Sequence, residues 1–167
     1  MTTDTRIDDE VNRAAALREK GADEDALAIL LALVGDNPNH AAANLQCAWT
    51  HDKLGLETEA VPFYERAIEL GLPSEDLESA LLGLGSTLRA LGRYPESLEV
   101  LDRAVSEFPD NRALEVFRAM SRYNNGQTKE AAETLLRLLV ATTSAPDIRS
   151  YQTALDIYSE DLDRTWQ

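Results

Sequence analysis

The stretch Ala48-Trp49-Thr50-His51-Asp52-Lys53-Leu54-Gly55-Leu56-Glu57-Thr58-Glu59-Ala60-Val61-Pro62-Phe63-Tyr64-Glu65-Arg66-Ala67 carries the pattern that decides the fold. A small residue stands seven positions before Gly55, another five after it, a large aromatic nine after it and an alanine twelve after it. The same columns recur around Gly21, Gly92 and Gly126. The small residues before the glycines are Ala14, Gly85 and Ala119, and those after are Ala26, Ser97 and Ala131. Leu30, Leu101 and Leu135 match Tyr64, while Leu33, Ala104 and Leu138 match Ala67. The glycines are 34, 37 and 34 residues apart, and prolines close the units at Pro38, Pro73 and Pro109, with Pro146 after the fourth.

Each column has a physical reason. A glycine can adopt the left-handed backbone that turns the chain between two antiparallel helices without a Cβ penalty. Small residues allow two helices to approach closely, and larger ones fill the groove between neighbouring hairpins. A proline after a helix lacks the amide hydrogen that would extend it. The apolar spacing predicts helix pairs at about 7–20 with 23–35, 41–54 with 57–70, 77–91 with 94–108, and 111–124 with 128–142. Three extra residues around Gly71-Leu72-Pro73-Ser74 lengthen one connection, and Ser74 is expected to cap the helix that follows. Pro95 fits a helix start. Pro62 fits less well, but close to a helix start the hydrogen bond that it forfeits is a cheap one. Beyond Pro146, Ile148, Tyr151, Leu155, Tyr158 and Leu162 recur at spacings of three and four, which predicts one more helix at about 147–163. Its expected role is to cap the apolar end of the stack, the rival being that it enters the groove or exchanges with a second subunit.

The pattern resembles the tetratricopeptide repeat, a helix–turn–helix unit of about 34 residues. The resemblance implies an all-α right-handed superhelix, an α-solenoid, with about four units at 7–40, 41–74, 78–111 and 112–145 and a C-terminal capping helix, all as a single domain over 1–167. More narrowly, Cys47–Glu57 with Ala60–Glu65, and the run Ala80-Leu81-Leu82-Gly83-Leu84-Gly85-Ser86-Thr87-Leu88, resemble a group of small bacterial tetratricopeptide proteins. That resemblance implies a compact protein acting through protein contacts, with a homodimer as its implied assembly.

Composition narrows the function. The chain has 167 residues, 44% of them hydrophobic, and a formal charge of −14. An acidic surface repels phosphate backbones and anionic lipid, so neither nucleic acid nor a membrane is expected as a partner. Residues 1–78 hold 17 acidic and 6 basic groups, so a basic or amphipathic partner would be steered there, unless the charge serves solubility alone. The single cysteine, Cys47, permits no internal disulfide, and Met1–Glu10 has neither the basic leader nor the apolar core of a signal peptide. A cytoplasmic protein is the expectation.

No chemistry stands out. The only histidines are His40 and His51. Cys47 and His51 could reach one metal from one helix, but both fall at packing positions, and structural zinc normally takes four ligands. Acidic clusters at Asp8-Asp9-Glu10, Asp23-Glu24-Asp25 and Glu75-Asp76 lack the ligand spacing of a calcium loop and read as solvated helix ends. No enzyme activity, no cofactor and no metal are therefore expected.

The resemblance places the first helix of each unit on a concave face. By register its candidate peptide-binding residues are Val11, Leu45, Trp49, Leu82, Ser86, Val116, Met120 and Tyr123, with Asp8, Ala15, Ala42, Ser79 and Ala113 alongside. The surface is largely apolar, which marks a binding groove or, if the stack closes tightly, plain core. Some relatives grip acidic tails with cations in this groove. The matching positions here, Val11, Ala15, Gln46, Ser79 and Gly83, carry none. The expected function is a non-catalytic module that binds a polypeptide segment and self-associates. The alternative is a chaperone for secreted proteins of the type III class, which also include small acidic tetratricopeptide proteins.

Overall fold

The computed structural model describes residues 3–166, and among them every regular element is helical. In chain order these are α1 (Thr3–Glu19), α2 (Asp23–Asp36), α3 (Ala41–Lys53), α4 (Glu57–Leu70), α5 (Ser74–Ala90), α6 (Tyr94–Glu107), α7 (Arg112–Asn124), α8 (Thr128–Thr142), α9 (Pro146–Arg149) and α10 (Gln152–Glu160). They fall into two compact units, Met1–Gly92 and Arg93–Gln167.

The turns are built as the sequence pattern requires. Gly21, Gly55, Gly92 and Gly126 have φ between 73° and 85°, the left-handed region open to glycine. Around each, paired backbone bonds close the preceding helix. Leu56 N donates to the His51 carbonyl at 2.9 Å and Gln127 N to the Arg122 carbonyl at 2.9 Å. Gly71 (φ 88°) makes the longer turn before α5. There the capping expectation is corrected. Pro73, with extended ψ, is the residue that flanks the helix, and its carbonyl accepts from Leu77 N at 2.8 Å, so Ser74 already lies inside α5. Side-chain caps occur instead at α3, where His40 Nδ1 accepts from Ala43 N, and at α7, where Asn111 Oδ1 accepts from Ala113 N. Pro62 lies inside α4 on its exposed side. The bond that it forfeits would run to the exposed Thr58, whose carbonyl water can serve.

In the first unit α1 lies beside α3 and α3 touches α5, so the first helices of successive hairpins form one layer. The second layer has α2 against α1 and α3, and α4 against α3 and α5. The columns supply the core between them. Ala14, Ala26, Leu30, Ala48, Ala60, Tyr64 and Ala67 are all 1% exposed or less. In the second unit α6 packs on α7, α7 on α8 and α8 on α10. Here Ser97 occupies an alanine column, and its hydroxyl pairs with that of Ser121 at 2.7 Å inside the α6–α7 contact. Two buried hydroxyls that satisfy each other avoid the desolvation cost of either alone.

The final helix differs from the continuous one expected over 147–163. It is split at Ser150–Tyr151 into α9 and α10, and helix ends at Glu160. Ser150 Oγ donates to the Asp147 carbonyl at 2.7 Å within the break. The chain after α10 is tied sideways to α8. Lys129 pairs with Asp161 and with Asp163 (2.8 Å), and Leu162 N donates to Glu133 at 3.0 Å. The Leu162 amide, which a longer helix would bond to the carbonyl four residues back, is thereby given to the Glu133 carboxylate.

Candidate functional site

The exposed side of the α1–α3–α5 layer is the candidate site of the first unit. Of the residues expected there, Val11 and Leu45 are buried, at 5% and 2% exposure, and so offer little surface. Trp49, Leu82 and Ser86 are half-buried and present surface. Val116, Met120 and Tyr123 belong to α7 in the second unit, where Val116 and Met120 are half-buried and Tyr123 is 64% exposed.

Trp49 is the best-defined member. It sits on α3 three residues after Gln46 and three before Asp52, spacings that put all of them on adjoining parts of one helix surface. The guanidinium of Arg18, from the last turn of α1, stands over its ring with Cζ 5.0 Å from the centroid. Burial lowers the pKa of Arg18, while the nearby Tyr64, Glu19 and Asp23 act in the opposite direction. Lys53 holds the two helices in register. Its Nζ donates to the Arg18 carbonyl at 2.5 Å and pairs with Asp23 at 2.8 Å. Gln46 Oε1 is buried and accepts no hydrogen bond.

Asp52 completes the group. It accepts from the Tyr64 hydroxyl at 2.7 Å and from Thr87 Oγ1 at 2.8 Å, joining α3, α4 and α5. Burial raises its pKa, while those two hydrogen bonds act in the opposite direction. Tyr64 is itself pushed up by burial and by this carboxylate, so it stays a neutral donor. Gly83 makes the arrangement possible, because a Cβ there would stand 2.5 Å from the Tyr64 hydroxyl oxygen.

Sequence register missed Arg18 and Asp52, although a signal existed. Both stand three residues before their hairpin glycines, as do Arg89 and Tyr123, and that column shares a helix surface with the Trp49 column six before. The cation missing from the clamp positions is thus present one turn later, as Arg18.

The Cys47–His51 pair is packed away. Cys47 is 0% and His51 5% exposed, His51 Nδ1 donates to the Cys47 carbonyl at 2.8 Å, and its ring stacks on Phe63 at 5.0 Å. Burial pushes the thiol up to about 12, so it is no nucleophile at neutral pH. Among the described residues no three His, Cys, Asp or Glu side chains are grouped to hold a metal, and no helix is long and apolar enough to cross a membrane. A cleft of about 280 Å³ lies elsewhere, lined by Ile7, Asn37, Pro38, Asn39 and His40. His40 is already committed there, to Asp8 at 3.2 Å and to the α3 cap.

Comparison with known proteins agrees with this architecture. The family model described as Tetratrico peptide repeat matches residues 41–162. No curated protein matches the sequence. Among solved structures, YrrB, described as a TPR protein with an unusual peptide-binding site, has a TM-score of 0.71 at 20% identity, over 92% of this chain and 78% of its own. MamA from Desulfovibrio magneticus RS-1 has a TM-score of 0.73 at 16% identity, over 93% and 86%. A thermophilic TPR protein of Thermus thermophilus, TTC0263, has a TM-score of 0.62 at 22% identity, over 94% and 84%. At these identities the likeness speaks to fold. With residues 41–162 matched by the family model and the hairpin columns built as that family builds them, this chain belongs to the tetratricopeptide repeat family.

Proposed function

We propose that the chain is a non-catalytic interaction module, working in the cytoplasm, that binds polypeptide through the α1–α3–α5 face. Trp49 carries the reading. It is a large, half-buried aromatic ring on a face where Val11 and Leu45 are buried. Half-buried aromatics are what binding surfaces use as anchors. A peptide-binding relation also fits the likeness to YrrB, whose description names such a site. The net charge of −14 works against phosphate backbones and anionic membranes as partners. Peptides selected from a random display library on the full chain provide the test. Their affinity should fall about tenfold or more with Trp49→Ala, the loss expected of an aromatic anchor, while the melting temperature moves little. Equal loss of binding and stability would return Trp49 to the core.

Self-association is proposed for the second unit. Leu135, Leu139, Tyr151, Leu162 and Trp166 are each 39% exposed or more. Exposed apolar side chains gathered on one segment of chain mark association surfaces. Light scattering should give a dimer mass for the full chain and a monomer mass for Leu135→Glu combined with Leu139→Glu. A monomer in both cases would remove the dimer.

A further inference from the structure

Trp49 already holds a guanidinium, that of Arg18, and Arg18 is poorly served in that position. Among the described residues no carboxylate forms an ion pair with its guanidinium, which lies over the indole ring. The acceptors lie instead beside Trp49. Gln46 offers a buried oxygen that receives no donor. Asp52 has only the neutral hydroxyls of Tyr64 and Thr87 bonded to its carboxyl group, so acceptor capacity remains for a cationic donor. Lys53 is tied to Asp23 and to the Arg18 carbonyl, and Arg89, the counterpart of Arg18 on α5, has a partner of its own. Around this group residues 1–92 carry 17 acidic and 7 basic side chains, a net of −10. Such a field draws basic segments in and turns acidic ones away.

We propose that Trp49, Gln46 and Asp52 take an arginine side chain of the bound polypeptide, in the place that Arg18 holds in the free chain. The proposal rests on the α1–α3–α5 face being the polypeptide site and names the side chain that the face selects. An indole ring attracts a guanidinium, and the planar fork of arginine can stack on the ring while its several N–H groups stay free to donate, which the compact ammonium of lysine does less well. The incoming arginine would give Gln46 Oε1 the donor that it lacks and Asp52 a charged partner. Arg18, displaced, has the carboxylates of Glu19 and Asp23, which already act on it electrostatically, to receive it. Arg18 is then a placeholder, which keeps the ring covered when no partner is bound.

The placeholder role sets the test apart from simple charge attraction. Isothermal titration calorimetry on the full chain would use the capped peptide acetyl-Ala-Leu-Arg-Ala-Leu-Arg-Ala-Leu-amide, with lysine and glutamate versions as controls. The arginine peptide is expected to bind several-fold more tightly than the lysine peptide, and the glutamate peptide not at all. Arg18→Ala should tighten the arginine peptide several-fold, whereas Asp52→Asn and Trp49→Ala should each weaken it by about tenfold, the size of one favourable cation contact. Circular dichroism melts of each variant confirm that a folded chain is being titrated, and Arg18→Ala, whose expected effect is a gain, cannot be mimicked by unfolding. Preference for the glutamate peptide, with binding lost in Arg18→Ala, overturns the proposal while leaving the face a polypeptide site. Equal binding of the arginine and lysine peptides, indifferent to Trp49→Ala, overturns it as mere net charge. No heat from any of the peptides, in wild type or in Arg18→Ala, overturns it too, and the display selection then decides separately whether the face binds polypeptide.

Discussion

Tyr64 of α4 and Leu135 of α8 stand at the same distance after their hairpin glycines, yet Tyr64 is 1% exposed and Leu135 41%. The column aims each side chain at the groove where a following hairpin would dock. In the first unit α5 fills that groove, with Gly83 against the Tyr64 ring and Asp52 and Thr87 on the hydroxyl side. In the second unit the element packed on α8 is the nine-residue α10, which leaves Leu135 and Leu139 partly uncovered. Periodicity in the sequence therefore specifies direction, and burial depends on which neighbour arrives.

The largest expected effect is the loss of a buried aromatic. Tyr64→Ala should destabilise by about 3–5 kcal/mol, whereas Leu135→Ala, losing little buried area, should cost less than about 1 kcal/mol. Urea unfolding of both variants tests this, and comparable losses would break the comparison. Gly83→Ala sharpens it. Alanine favours helix by about 1 kcal/mol over glycine, yet the Cβ would meet Tyr64, so a net loss of about 1–3 kcal/mol is expected. A stabilised Gly83→Ala chain would mean that Tyr64 is free to move. A smaller effect than that of Tyr64→Ala is expected at the hydroxyl pair of the second unit. Ser97→Ala should cost about 1 kcal/mol by leaving the Ser121 hydroxyl unpaired, and adding Ser121→Ala should recover most of that loss. Additive losses in the double variant would show that the hydroxyl pair contributes nothing.

Much of the fold was legible because hairpin glycines, small contact residues and closing prolines act locally, within a few residues of the turn. The helix from Thr128 to Thr142 and the one from Glu57 to Leu70 lie where the apolar spacing put them. The break at Ser150–Tyr151 was not legible. The bonds that hold the chain beyond Glu160 join Lys129 to Asp161 and Asp163, more than thirty positions away, and no local pattern announces a pairing of that kind. The start of α5 was misread for a related reason, since Ser74 has a capping side chain but Pro73 already supplies the extended backbone that begins the helix. The candidate site was legible in part. Register put Trp49 on the α1–α3–α5 face, where it is half-buried, and put Val11 and Leu45 there without showing that both are buried. Arg18 escaped because its partner ring is on the next hairpin, and Asp52 because its donors come from α4 and α5. A column of polar residues three before each glycine was visible, but its meaning depends on contacts between hairpins.

The central claim is that the α1–α3–α5 face around Trp49 is where polypeptide binds. Amide hydrogen exchange on the full chain, with and without a display-selected peptide at saturation, tests it most directly. Bound peptide should slow exchange in segments 11–18, 45–53 and 79–89 and leave α8 unchanged. Protection confined to α8 and the residues after it, with those three segments unaffected, would contradict the claim and move the binding surface to the other unit.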